Sequence, residues 1–117
     1  MITLGLDPHP GSHTVVALDR NGSLLGDVTV PNTAIGLCEL HRFAAQFTSR
    51  RWAIEGAGNR FIASFVADLL VQGEAVYSIA PSLTSRAITA RVLQRLVAGR
   101  HQQSAAYGTY RIYRALS

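Results

Sequence analysis

The chain has no lysine: all eleven of its basic residues are arginine. A GC-rich coding bias accounts for that choice without a functional cause. One cysteine, Cys38, stands alone, which excludes an internal disulfide and a cysteine-based zinc site; it reads as a small buried hydrophobe. No apolar run is long enough to span a bilayer. The longest, "FIASFVADLLV" from Phe61 to Val71, is interrupted by Asp68, so no membrane partner is expected. No basic segment followed by an apolar core and a cleavage site opens the chain, which points to a cytoplasmic location. There is no internal repeat and no long linker. With 48% hydrophobic residues among 117, disorder is excluded as the general state, and one domain is the simplest organisation.

Acid is missing from one whole region. Residues 1–74 hold all seven acidic residues and five arginines, a net charge of −2, whereas residues 75–117 hold six arginines and no acid, a net +6. A basic C-terminal third fits contact with a polyanion, with Arg86, Arg91, Arg95 and Arg100 as the nucleic-acid-binding candidates. A solvated helix face explains the same pattern equally well. The four histidines show no pattern beyond His9 and His13, a pair that reads as hydrogen-bonded turn chemistry rather than a metal site.

The apolar pattern lays out the elements. Ile2 to Asp7, His13 to Asp19 and Leu24 to Val30 read as three strands, separated by "PHPGS" and by "RNGS", whose Asn21-Gly22 is a strong hairpin signal. Asn32 or Thr33 is an expected helix N-cap, and Leu37, Leu40, Phe43, Ala44 and Phe47 follow at helical spacing. "RWAIE" reads as strand four. "GAGN" leads into a second helix with a stripe of Phe61, Ile62, Phe65, Val66, Leu69 and Leu70, ended by Gly73. "AVYSIA" is strand five, and a third helix is expected from about Leu83 to Ala98, with Arg91 and Arg95 on its polar side. "HQQSAAYGTYRIYRALS" is open between strand, helix and tail. Its Tyr107, Tyr110 and Tyr113 either stack on bases or pack a terminal helix onto the body.

The order βββαβαβα fits an α/β fold: a mixed five-stranded sheet with a meander at one side, right-handed crossovers at the other, and helices packed on the sheet. Strand one then lies parallel to strand four. Asp7 and Glu55, at the ends of those strands, emerge at the carboxyl end of the sheet, where open α/β sheets bind ligands. Two carboxylates close together repel, and a shared Mg²⁺ relieves that repulsion while keeping waters or phosphate oxygens as further ligands. Turn and helix capping are the structural alternatives for both side chains, and "GAGN" either cradles a phosphate or simply makes a tight turn.

"GLDPHPGSHTVVALDRNG", "VPNTAIGLCEL" and "WAIEGAGN…ADLLVQGEAVYSIAP" together resemble the N-terminal domain of DEDD-type insertion-sequence transposases and the related Piv-type DNA invertases. The likeness covers about residues 2–86 and lies in the succession of blocks rather than in any one motif. It implies a RuvC-like, ribonuclease H-like fold over 1–86, with 87–117 as a basic helical extension or tail. It implies that Asp7 and Glu55 are the first two of four Mg²⁺-binding catalytic carboxylates in a DNA strand-cleaving site. It also implies DNA as partner, in some members a structured RNA, and a second, serine-bearing domain.

The chain departs from that pattern after Glu74, where the family carries a pair of aspartates on a helix and this sequence has no acid. Asp19 and Glu74 are expected at the opposite end of the sheet, Asp27 within strand three and Asp68 in mid-helix, so none completes the site. Two-metal chemistry needs ions about 3.5–4 Å apart, each with its own ligands; two carboxylates hold one Mg²⁺, weakly. The expectation is a truncated or decayed transposase domain that binds DNA and does not cut it alone. Two other classes share the pattern: a phosphate-binding half of an actin-like or sugar-kinase-like ATPase, although position 9 is histidine where that hairpin carries glycine, and a non-enzymatic module that self-associates through an uncovered surface.

Overall fold

Residues 1–79 and 110–113 are described by the structure, a computed structural model. Three antiparallel strands come first: β1 (Ile2–Pro8), β2 (Ser12–Leu18) and β3 (Leu24–Pro31). The β2–β3 turn works as the Asn-Gly signal implies, but only Gly22 is left-handed, at φ 83°. Asp19 does the rest. Its Oδ1 accepts from the amides of Asn21 and Ser23, each at 2.9 Å, an Asx bond that shapes the turn.

Helix α1 (Ala34–Ala45) starts at Thr33, whose Oγ1 accepts from the Gly36 amide at 3.0 Å. That identifies the N-cap among the two candidates. Thr33→Ala is expected to cost about 1 kcal/mol, read as a lower urea midpoint at unchanged slope. The predicted stripe is the packing face: Leu40 and Ala44 are buried, with Leu37, Phe43 and Phe47 half-buried against the core. Cys38 is exposed, not buried as its residue type suggested. It follows Leu37 and precedes Leu40 by two positions, so the helical period turns it away from the stripe.

The chain then crosses to β4 (Arg50–Glu55), α2 (Ala63–Val71) and β5 (Val76–Ile79). Helix α2 begins later than expected, after a turn over 56–62, and Ile62 enters the core from just outside it. Its end is as read: Gly73 takes φ 79°, with Gly73 N–H donating to Leu70 O and Glu74 N–H to Leu69 O, a Schellman closure. A sixth strand, β6 (Tyr110–Tyr113), pairs antiparallel with β5, so the segment left open between strand, helix and tail contributes a strand. The helical reading of the tyrosine spacing therefore does not hold over Tyr110–Tyr113. The helix expected over Leu83–Ala98 lies outside the described residues.

The sheet order is β3-β2-β1-β4-β5-β6, a mixed sheet in which β1, β4 and β5 are parallel and the other neighbours antiparallel. The five expected strands are present, in the expected adjacency, and the sixth extends the sheet beyond β5. One face carries Leu4, Leu6, Val15, Ala17, Val30, Trp52, Ile54 and Val76, which form a single core with Leu40 of α1 and with Phe65 and Leu69 of α2. Residues one step away in each strand lie on the other face. There the buried Arg51 donates from Nε to Thr3 Oγ1 at 2.9 Å and sits 5.7 Å from the centre of the Tyr77 ring.

The rim where β1, β4 and β5 begin is held by charge. Glu74 accepts from Arg50 Nε at 3.0 Å and Nη2 at 2.7 Å, and from the Trp52 indole at 3.0 Å. Glu74 is therefore a structural acid at the far rim, as the sequence placed it.

Candidate functional site

At the opposite, carboxyl rim, β1, β3, β4 and β5 end, α1 and α2 begin, and the 9–11 turn crosses. Asp7 stands one residue before the end of β1, because the strand runs on through Pro8; Glu55 is the last residue of β4. The parallel register pairs Leu6 with Ile54, so one step further Asp7 stands beside Glu55. Neighbouring strands lie about 4.8 Å apart, and side chains at matched positions share a face. Both carboxyl groups therefore belong to one face and one rim.

Their surroundings differ. Asp7 is partly exposed, at 25%, and its Oδ2 lies 3.2 Å from Nε2 of His9, whose side chain is 60% exposed. A contact this open contributes little to stability. The turn amide nearest Asp7, that of His9, has other acceptors. His9 N–H donates to Ser12 O at 3.0 Å and also reaches His13 Nδ1 at 3.3 Å. His13 is fully buried; with Nδ1 accepting, its Nε2 carries the proton and donates to Asn32 Oδ1 at 2.9 Å. Asn32 returns its side-chain amide to Pro10 O and its backbone amide to Gly11 O. The two histidines thus have different tasks: His13 ties the turn to the start of α1, and His9 faces Asp7. Hydrogen-bonded turn chemistry is the correct reading of that pair.

Glu55 is buried, 7% exposed. It does not cap the following helix: α2 has Ile62 at its N-cap and no side-chain cap. The connecting loop is self-supporting. Gly56 is left-handed at φ 61°, Asn59 N–H donates to Gly56 O, Ile62 N–H to Asn59 O, and Ala57 N–H to Ser78 Oγ at 3.2 Å. This loop presents Arg60, which is exposed and which composition gave no reason to single out.

A partly exposed and a buried carboxylate on one rim fit the hard-oxygen chemistry of one Mg²⁺, an ion that commonly binds through one or two carboxylates with water and phosphate oxygens completing its shell. Among the described residues no three His, Cys, Asp or Glu side chains come together. Asp19 follows β2 at the other rim, Asp27 is on the edge strand β3 and Asp68 is exposed on α2, so none joins the pair. Arg86, Arg91, Arg95 and Arg100 lie outside the described residues. No described helix is long and apolar enough to cross a membrane. Comparison with protein-family models and with curated proteins found no match.

Proposed function

We propose that this chain is a nucleic-acid-binding domain of the ribonuclease H-like, RuvC-like kind, related to the N-terminal domain of DEDD-type insertion-sequence transposases. In this reading Asp7 and Glu55 hold one Mg²⁺, and the domain binds DNA without cutting it alone. One observation carries the reading: β1 and β4 are parallel neighbours at the centre of the β3-β2-β1-β4-β5-β6 sheet, so Asp7 and Glu55, far apart in the chain, share a rim. His9, His13 and Asn32, from the early sequence blocks, gather at that same rim.

A Mg²⁺ held by Asp7 and Glu55 would supply Lewis-acid polarisation to a phosphate oxygen. The chain's own contribution is placement. Asp7 offers an accessible carboxylate on a strand end stiffened by the His13–Asn32 ties, and Glu55 offers one from inside the sheet. Residues 75–117 contain no acid and so supply no carboxylate to a second ion, and in this reading residues 1–117 alone do not cleave a strand.

The test uses the full chain with duplex DNA. Binding is expected to weaken steeply as salt rises and to survive Asp7→Asn, with no Mg²⁺-dependent nicking. Nicking abolished by Asp7→Asn would show a complete active site and contradict the one-ion reading. ATP binding without DNA affinity would favour the kinase-like class.

A further inference from the structure

Five arginines fall among residues 1–79, and their surroundings sort them. Arg50 is committed to Glu74 and to Phe47 O. Arg51 is buried against Thr3 and Tyr77. Arg20 is exposed in the β2–β3 turn, at the far rim. Arg42 is in the last turn of α1, the end of the helix that leads away from the carboxyl rim. Arg60 differs from all four: it is on the carboxyl rim, five residues beyond Glu55 and ahead of α2. Its side chain is exposed, and none of the described residues pairs with it.

The rim around it favours an anion once the carboxylates are neutralised by a cation. Neither helix that starts there has an acidic residue in its first turn, so no carboxylate of its own offsets the positive dipole end of either helix. A guanidinium with no ion pair to break can offer two parallel N–H donors to a phosphate without loss elsewhere.

We propose that Arg60 contacts a backbone phosphate of nucleic acid seated across the Asp7–Glu55 rim. The proposal rests on the DNA-binding reading above and adds where the backbone lies: over the 56–62 loop, beside the carboxylate pair. Phosphate contacts of this kind set position rather than sequence choice.

Arg20 supplies the control, being also exposed, in a turn, and at the other end of the same sheet. The experiment is anisotropy of a fluorescent duplex DNA in Mg²⁺, across a salt series, with the full-length chain and its Arg60→Gln and Arg20→Gln variants. Arg60→Gln is expected to weaken binding roughly three- to tenfold and to reduce the magnitude of the log–log salt slope by about one. Arg20→Gln is expected to leave both unchanged. Binding by the unaltered chain with an unaffected Arg60→Gln variant, or equal losses in both variants, overturns the placement alone. Absence of binding by the unaltered chain at every salt concentration overturns the DNA-binding reading, and the placement with it.

Discussion

Gly36→Ala is expected to destabilise the protein by about 3 kcal/mol, the upper part of the range for forcing an extra group into a packed site. A Cβ at position 36 would lie 1.9 Å from the carbonyl oxygen of Pro31 and 2.9 Å from its carbonyl carbon. Both are backbone atoms, so no side chain can swing aside. That same oxygen accepts from Thr33 N–H at 2.9 Å, and Gly36 N–H donates to the Thr33 cap. Moving α1 away from β3 therefore breaks the cap that starts the helix as well as relieving the clash. Gly58→Ala is the matched control: a Cβ there meets nothing within 4 Å, and its effect should stay within about 0.5 kcal/mol. Urea unfolding followed by far-ultraviolet circular dichroism measures both. Equal stabilities for the two variants would show that α1 does not approach β3 as described.

Trp52→Ala is expected to cost more, about 3–5 kcal/mol for the lost volume, with the loss of a bond to Glu74 added. Trp52 is fully buried, meets Phe65 edge to face at 5.3 Å and donates from its indole nitrogen to Glu74 Oε1. It thus joins the core to the Arg50–Glu74 ion pair at the far rim. Against a total stability of roughly 5–15 kcal/mol, a loss of that size removes a large share of the margin that keeps the chain folded. Trp52→Phe separates the two contributions: it keeps an aromatic ring and removes the N–H, so its cost should be about 1–3 kcal/mol. The same denaturation series ranks the variants, and a Trp52→Phe protein as unstable as Trp52→Ala would mean that the bond to Glu74, not packing, dominates.

Where the pattern was local, the sequence was a sufficient guide. Asn21-Gly22 marked the hairpin, the α1 and α2 stripes marked their packing faces, and Gly73 marked a helix end. The adjacency of β1 and β4 followed from the element order, a meander and then crossovers, under connection rules that concern chains rather than particular residues. Cys38 was misjudged because residue type outweighed position: the stripe through Leu37, Leu40 and Ala44 already turned it outward. What periodicity could not reveal were contacts between distant polar groups. Arg51 reaches Thr3 across 48 positions and Arg50 reaches Glu74 across 24, and neither pair has a spacing signature. At the candidate site, Asp7 and Glu55 were legible because each ends an apolar run. The His9 contact with Asp7 was not, since a histidine two residues past a strand end points as often to solvent as to its neighbour, and Arg60 sits in a loop whose glycines drew the attention.

The most direct measurement is a double-mutant cycle on divalent-ion affinity, with Mn²⁺ as a paramagnetic substitute for Mg²⁺ and folding checked by circular dichroism. If the two acids grip a common ion, Asp7→Asn and Glu55→Gln each weaken binding at least about tenfold, and combining them adds little to the worse of the two, because groups sharing one ligand do not act additively. Losses that multiply independently, or an unaltered chain that takes up no ion, would contradict a shared site.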